Sequence, residues 1–352
     1  MTEIEKIVRV IKENSAFLIT SHLSPDGDSI ASQLALRLIL KRLKKSVAIA
    51  NHDPVPEAYV FLPGSGTIRV VQGAYPSGPA RHRPEPKAMA GGLGDEKFDV
   101  AAILDCPKLS RVANLNSNII KTIKEAKIII NIDHHPGNEC FGHLNLVDTK
   151  KSAVGEQIYE LIEPLGCKLN EDLALCLYVG ILTDTGSFKY LNTTTMTHRI
   201  VAELLATGIK PHQVAQRIYD TATPSSIRLL SLMLTTLRTS HDGKVAWMSI
   251  TREMLEDSGV DPSQTEGFID HCRSLKDSEV AILFMETPDD KIEISFRSKN
   301  TLNVDRLART FDGGGHIRAA ACTINGTLEG VARRVLAEVS RQLGAGKRDV
   351  GY

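Results

Sequence analysis

His22, Asp26 and Asp28 fall in one short stretch, His22-Leu23-Ser24-Pro25-Asp26-Gly27-Asp28. One imidazole and two carboxylates so close in sequence can hold a cation or move a proton. Pro25 restricts the backbone and Gly27 frees it, as a tight turn requires. An ordinary Asp-Gly turn with a surface histidine would account for this stretch alone. Three other segments argue against that reading. Asp105 ends the apolar run Phe98–Leu104, Asp133-His134-His135 follows Ala126–Ile132, and Asp184 follows the apolar stretch Leu173–Leu182. Carboxylates gathered at one place repel one another unless cations neutralise them. Five carboxylates with two or three imidazoles exceed what one ion needs. They suit two divalent ions sharing a bridging carboxylate. Asp/His ligation without thiolate suits Mn²⁺ better than structural zinc, although Mg²⁺ and Co²⁺ also fit such ligands. Two ions about 3.5–4 Å apart clamp a phosphoryl group and activate water. The implied reaction is in-line hydrolysis of a phosphate ester.

The elements that must position these residues alternate. Ala16–Thr20 reads as a buried strand, and 29–43 as a helix with apolar residues on one face. Val47–Ala50, 98–104 and 126–132 are further strands. Helices are expected at 3–14, 116–125 and 153–163. Strands alternating with helices predict a parallel sheet. Its carboxyl rim is where ligands bind in such folds, so residues distant in sequence converge there. Residues 72–97 break periodicity with Gly and Pro and are locally basic, which reads as a solvated loop or a flap. Residues 193–225 read as a helical connector. Strands at 245–250, 279–286, 291–297 and 319–324, with helices at 303–311 and 328–343, predict a smaller C-terminal α/β domain. Between them lies Asp312-Gly313-Gly314-Gly315-His316. Backbone free of side chains lets N–H groups converge on an anion, and Arg297 and Ser298 add a guanidinium fork and a hydroxyl.

The 352 residues suffice for two domains. Lys plus Arg balance Asp plus Glu at 42 each, which argues against electrostatic binding of long duplexes. A small anion held by local charge remains compatible. The six cysteines form no C-x-x-C pair and read as reduced core residues of a cytoplasmic protein. The N-terminus does not read as a signal peptide, and no apolar run reaches membrane-spanning length.

In this order the motifs His22–Asp28, Leu104-Asp105, Ile132–His135, Leu182–Phe188, Phe296–Ser298 and Gly313–His316 resemble the DHH phosphoesterases with a DHH-associated C-terminal domain. Within them the chain is most similar to the stand-alone nanoRNase/pAp-phosphatase group. The resemblance implies an N-terminal metal-binding catalytic domain over 1–192, a linker over 193–225, and a substrate-binding domain over 226–352. The active site would lie in the interdomain cleft. His22, Asp26 and Asp105 would hold one metal, with Asp28, Asp105, His134 and Asp184 holding the second. Asp105 would bridge. His135 would contact the scissile phosphate or leaving group as general acid, and Asp133 would orient its neighbours. Arg297, Ser298, Gly314, Gly315 and His316 would grip a substrate phosphate. Ala31 and Ala321 stand where many relatives in that family carry glycine.

The resemblance implies Mn²⁺-dependent hydrolysis of very short oligonucleotides to mononucleotides, and of adenosine 3′,5′-bisphosphate. Inorganic pyrophosphate hydrolysis is an alternative, but that branch carries a different basic C-terminal motif. A non-catalytic RNA-binding module is another, against which the intact ligand set argues. Oligomeric state is open, a homodimer included.

Overall fold

The computed structural model describes residues 1–71, 93, 96–113, 115, 117–240, 242–265, 267–287 and 289–345. The chain divides into two compact units, the first ending at Thr221 and the second beginning at Ala222. The stretch at 72–97 lies almost wholly outside the described residues.

The first unit runs α1 (Glu3–Glu13), β1 (Ala16–Thr20), α2 (Gly27–Arg42), β2 (Ser46–Asn51), β3 (Ile68–Val70), β4 (Val100–Leu104), α3 (Asn118–Glu125), β5 (Ile128–Asp133), β6 (Leu144–Val147), α4 (Val154–Glu160), α5 (Glu171–Asp184), α6 (Thr195–Ala206) and α7 (Pro211–Tyr219). Its six strands are parallel, in the order β3-β2-β1-β4-β5-β6. Alternate residues serve opposite faces. Phe17, Ile19, Ala102, Ile130 and Ile132 face a core shared with α1, α2, α4 and α5. Leu18, Ala48, Ala101 and Ile103 face a second core with Ile119, Ile120 and Ile123 of α3. Burial on both faces is why these strands read as continuous apolar runs.

This strand order has a switch point. From β1 the chain builds outward through β2 and β3, then returns to β4 on the other side of β1. The loops after β1 and β4 therefore diverge at their carboxyl ends and open a crevice between them.

α2 and α5 cross closely because glycines face the crossing. A Cβ on Gly27 would lie 2.4 Å from Thr183 Oγ1, and one on Gly180 would lie 2.6 Å from Asp28 Oδ1. Ala31 is buried beside Gly180.

Several expectations change. Strands β3 and β6 carry too few fully buried residues to stand out in the sequence. The helices in the expected connector send Ile200, Val201, Leu204, Val214 and Ile218 into the first unit's core. All six cysteines are free, but Cys140 is exposed and Cys167 half-buried rather than in the core. Among the described residues no helix is long and apolar enough to cross a membrane.

The second unit contains α8 (Pro224–Thr235), β7 (Arg238–Thr239), β8 (Val245–Ile250), α9 (Arg252–Ser258), α10 (Phe268–Arg273), β9 (Val280–Glu286), β10 (Lys291–Ser298), α11 (Val304–Arg309), β11 (Gly314–His316), β12 (Ala319–Asn325) and α12 (Leu328–Ala345). Its sheet is mixed, with order β11-β12-β10-β9-β8-β7 and a single parallel pair, β8–β9. α11 and α12 cover one face, α8 to α10 the other. The glycine run expected as a turn is strand β11, paired antiparallel with β12. Its glycines answer to packing. A Cβ on Gly313 would lie 2.2 Å from the Ala321 carbonyl oxygen, and one on Gly315, at φ +153°, 2.5 Å from that of Ala319.

Gly27→Ala should force α2 away from α5. A loss of about 1–3 kcal/mol is expected from overpacking, read as a lower urea midpoint. Gly66→Ala, with nothing within 4 Å of the added carbon, is the matched control and should stay within about 0.5 kcal/mol. Equal midpoints would show that the crossing has slack.

Candidate metal centre

The loops at the switch point deliver the ligand residues. β1 ends at Thr20, and His22 follows as the chain turns toward α2. Asp26 is the N-cap of α2. Its Oδ1 accepts from the Ser29 amide at 3.0 Å, and its Oδ2 lies 3.9 Å from His22 Nε2. Asp28 sits in the first turn of α2, fully inside the protein. Its oxygens accept from the Val154 and Gly155 amides at 2.6 and 3.1 Å and from Ser32 Oγ at 2.9 Å. These amides open α4, and an anion at a helix N-terminus is stabilised by the helix dipole. Asp105 follows β4 with φ +53°, a left-handed conformation unfavourable for a side chain. Its amide is held by the Ile132 carbonyl at 2.9 Å. Asp184 comes from the last turn of helix α5, whereas the sequence placed every acid at the rim of one sheet.

Asp105 divides its two oxygens. Oδ2 accepts from Ser29 Oγ at 2.7 Å and lies 3.5 Å from His22 Nε2. Oδ1 accepts no hydrogen bond and lies 3.6 Å from His134 Nε2. His134 Nε2 is in turn 3.5 Å from Asp184 Oδ2. Three groups of possible ligands result: His22/Asp26/Asp105, Asp28/His134/Asp184, and Asp105/His134/His135. These separations of 3.5–3.9 Å exceed hydrogen-bond length. They match two ligands of one ion, which stand about 3–4.2 Å apart when each bond is about 2.1 Å. The buried Asp105 Oδ1 and the all-oxygen-and-imidazole donor set both fit hard or borderline divalent ions. A cluster of groups that could hold two ions is present, and Asp105 belongs to two of its three groups.

Hydrogen bonds fix the imidazoles. His134 Nδ1 meets the Lys151 carbonyl at 3.1 Å, which only accepts, so Nδ1 carries the proton and Nε2 points at the acids. His135 Nδ1 meets Asp133 Oδ1 at 2.8 Å, and Asp133 Oδ2 accepts from Asn138 Nδ2 at 2.6 Å. That engages His135 Nδ1 as a donor and disfavours it as a ligand, despite its 3.5 Å distance from Asp105. His22 Nδ1 donates to the Leu23 carbonyl at 2.6 Å, while its Nε2 meets Ser29 Oγ at 2.7 Å. The Nε2 that meets Ser29 Oγ is the same nitrogen that faces Asp26 and Asp105.

Electrostatics agree with this arrangement. Burial pulls the His22 pKa down, but Asp105 and Asp26 outweigh it and raise it to about 9. Burial and the Asp105 charge push Asp28 up to about 7. Burial also raises Asp184, with Asp28 and Asp105 adding to it. Burial opposes the ionised form of Asp105, yet His134 and His22 hold its carboxyl well below the ordinary value. Asp105 is thus held toward its ionised form, while His22, Asp28 and Asp184 are biased toward protonation.

In the second unit, Arg297 is half-buried and donates to the Phe296 carbonyl at 3.1 Å. Ser298 is buried, its hydroxyl donating to the Leu302 carbonyl at 2.7 Å. The Gly315 amide donates to Asp305 Oδ1 at 3.0 Å. The donors of Ser298 and Gly315, assigned to substrate from the sequence, are thus engaged within the fold. Gly314 and His316 pair through β11 with Ala321 and Ala319. Residues the sequence reading passed over include Ser29, the α4 amides, Asn138 and Gly180. Only Ser29, one residue past the Asp-Gly-Asp run, carried a sequence signal.

A doubly wound domain carrying a candidate two-ion ligand cluster at its switch point is the framework of a metal-dependent phosphoesterase. Residues 16–181 match the DHH family N-terminal domain, and residues 242–345 match the DHHA1 domain. The chain belongs to the DHH family of phosphoesterases, in the group of the NrnA proteins. It is 31% identical over 326 residues to the bifunctional oligoribonuclease and PAP phosphatase NrnA of Thermus thermophilus, covering 92% of this chain and 89% of that one. It is 27% identical to the Bacillus subtilis protein of the same name, over 95% of this chain and 96% of that one. The crystal structure of an exopolyphosphatase-related protein from Bacteroides fragilis superposes with a TM-score of 0.84 at 26% identity, covering 98% of this chain and 97% of that one.

Two outcomes are expected. Manganese binding should release protons at pH 7 and tighten as pH rises toward 9, because an ion must displace the His22 proton held with a pKa of about 9. Titration calorimetry in buffers of different ionisation heat reads this, and identical heats would contradict it. Gly180→Ala should push Asp28 aside and weaken one of the two ions about 10–100-fold, while leaving the other. Unaltered manganese stoichiometry and affinity would remove Gly180 from the centre's support.

Proposed function

We propose that this protein uses two Mn²⁺ ions to hydrolyse very short oligonucleotides to mononucleotides and to remove the 3′-phosphate from adenosine 3′,5′-bisphosphate. One observation carries the reading: Asp105 faces two ligand groups at once, one oxygen toward His22 and the other toward His134. The NrnA relatives supply the substrate class.

Divalent ions held there supply positive charge for the phosphoryl oxygens and make water more acidic. The chain's own residues orient and exchange protons. His22 and His134 present Nε2 toward the acids because backbone carbonyls hold Nδ1. His135, its Nδ1 held by Asp133, gives a proton from Nε2 to the leaving oxygen. Asp133 orients the ring by holding Nδ1 at 2.8 Å, as a buried carboxylate does for a catalytic histidine. In the second unit, Arg297 with the Gly314–His316 strand holds a nucleotide phosphate, and Ser298 and Gly315 shape that strand from within. Equal numbers of acidic and basic residues leave no field to retain a long strand, which favours short substrates. The protein works in the cytoplasm on small nucleotide substrates.

Asp105→Asn should lose at least one ion and about 10³-fold or more of kcat. Metal content by atomic absorption, with turnover of a dinucleotide, checks this. Full activity in that variant defeats the bridged centre. Purified protein with Mn²⁺ should turn over a dinucleotide and the bisphosphate faster than a long single strand or pyrophosphate. Faster cleavage of the long strand would reverse the size preference, and pyrophosphate hydrolysis alone would place the protein with the phosphoanhydride hydrolases.

A further inference from the structure

After Asp105 the chain runs through Cys106-Pro107-Lys108 into a single 3-10 turn, Leu109–Arg111. This loop is rigidly held. The Cys106 carbonyl accepts from Asn131 Nδ2 at 3.1 Å, and the Pro107 carbonyl from the Glu139 amide at 2.9 Å. The Arg111 carbonyl accepts from the Leu23 amide at 2.6 Å, which fixes Arg111 against the residue after His22. Two cations lie on the loop. Lys108 is paired with Glu139 at 2.9 Å. Arg111 is half-buried and, among the described residues, has no carboxylate within ion-pair distance. Its backbone thus lies against the residue after His22, on the loop that leaves Asp105, which puts Arg111 at the border of the centre.

A guanidinium stays charged at any ordinary pH, so a half-buried one beside a binding site calls for an anion. The centre's own acids are already assigned. With two divalent ions bound, Asp26, Asp28, Asp105 and Asp184 as carboxylates would balance their four positive charges. The negative charge of an arriving phosphate ester is left without a counterpart. We propose that Arg111 binds a phosphoryl oxygen of the substrate at the reacting centre, an assignment that rests on the phosphoesterase reading above. Its planar fork suits two phosphate oxygens. The Leu23 amide places its backbone on the His22 side of the centre.

The test uses manganese-loaded full-length protein and inorganic phosphate as probe. Arg111→Gln should weaken phosphate binding about tenfold or more, with manganese stoichiometry and affinity as in wild type. Its kcat/KM should fall about a hundredfold on dinucleotide and bisphosphate alike. Arg111→Lys, a point charge without the fork, should fall between the two. Wild-type phosphate affinity in Arg111→Gln, or loss of manganese along with the side chain, overturns the assignment. If Arg111→Gln does not fold, Arg111→Lys decides, and wild-type phosphate affinity there overturns it. Phosphate titration reads Arg111 whether or not the wild-type protein turns over nucleotides, so failure of the substrate reading shows separately.

Discussion

Buried negative charge organises the first unit. Asp105, Asp28 and Asp184 all lie within reach of His134 and largely out of water. Carboxylates in that setting repel one another and lose hydration, both of which favour protonation. The chain meets this in two ways. It surrounds Asp105 with imidazoles, and it gives Asp28 the amides that open α4. What remains is a demand for positive charge among these acids, which divalent cations would meet. The left-handed backbone at Asp105 is of a piece with this. An unfavourable conformation there persists because the Ile132 carbonyl and the Ser29 hydroxyl fix the residue on both sides.

Helix packing serves the same end. α2 carries Asp26 and Asp28, and α5 carries Asp184. The two helices approach closely enough to bring these acids together because glycine occupies the crossing at positions 27 and 180. Stability and ligand placement are thus one property here. A methyl group at either crossing disturbs both the core and the carboxylates behind it.

The second unit shows how a glycine run can mislead. Three glycines before a histidine suggest a cradle for an anion, yet the backbone there is a sheet edge strand packed on β12. One of its amides already serves Asp305, itself held by Arg309 at 2.8 Å. Basic character in this unit therefore rests more on Arg297 than on an open set of amides.

The sequence by itself determined the parallel sheet, the strand ends that carry His22, Asp105 and His134, and the family. Those features follow from local rules: short apolar runs for strands buried on both faces, and acids or imidazoles where such runs stop. Even the second unit's strands at 245–250 and 291–297 were legible from alternation and length. Tertiary structure alone decided the rest. Which oxygen of Asp105 faces which histidine depends on a left-handed turn and on a carbonyl from β5. That Asp28 is held by the α4 amides as well as by Ser32 depends on helices over a hundred residues apart. The role of Gly180 is invisible until α2 lies against it, and Arg111 is an ordinary loop cation until the Leu23 amide fixes it beside His22. Periodicity records what each segment buries, whereas pairing between segments is written only in their packing.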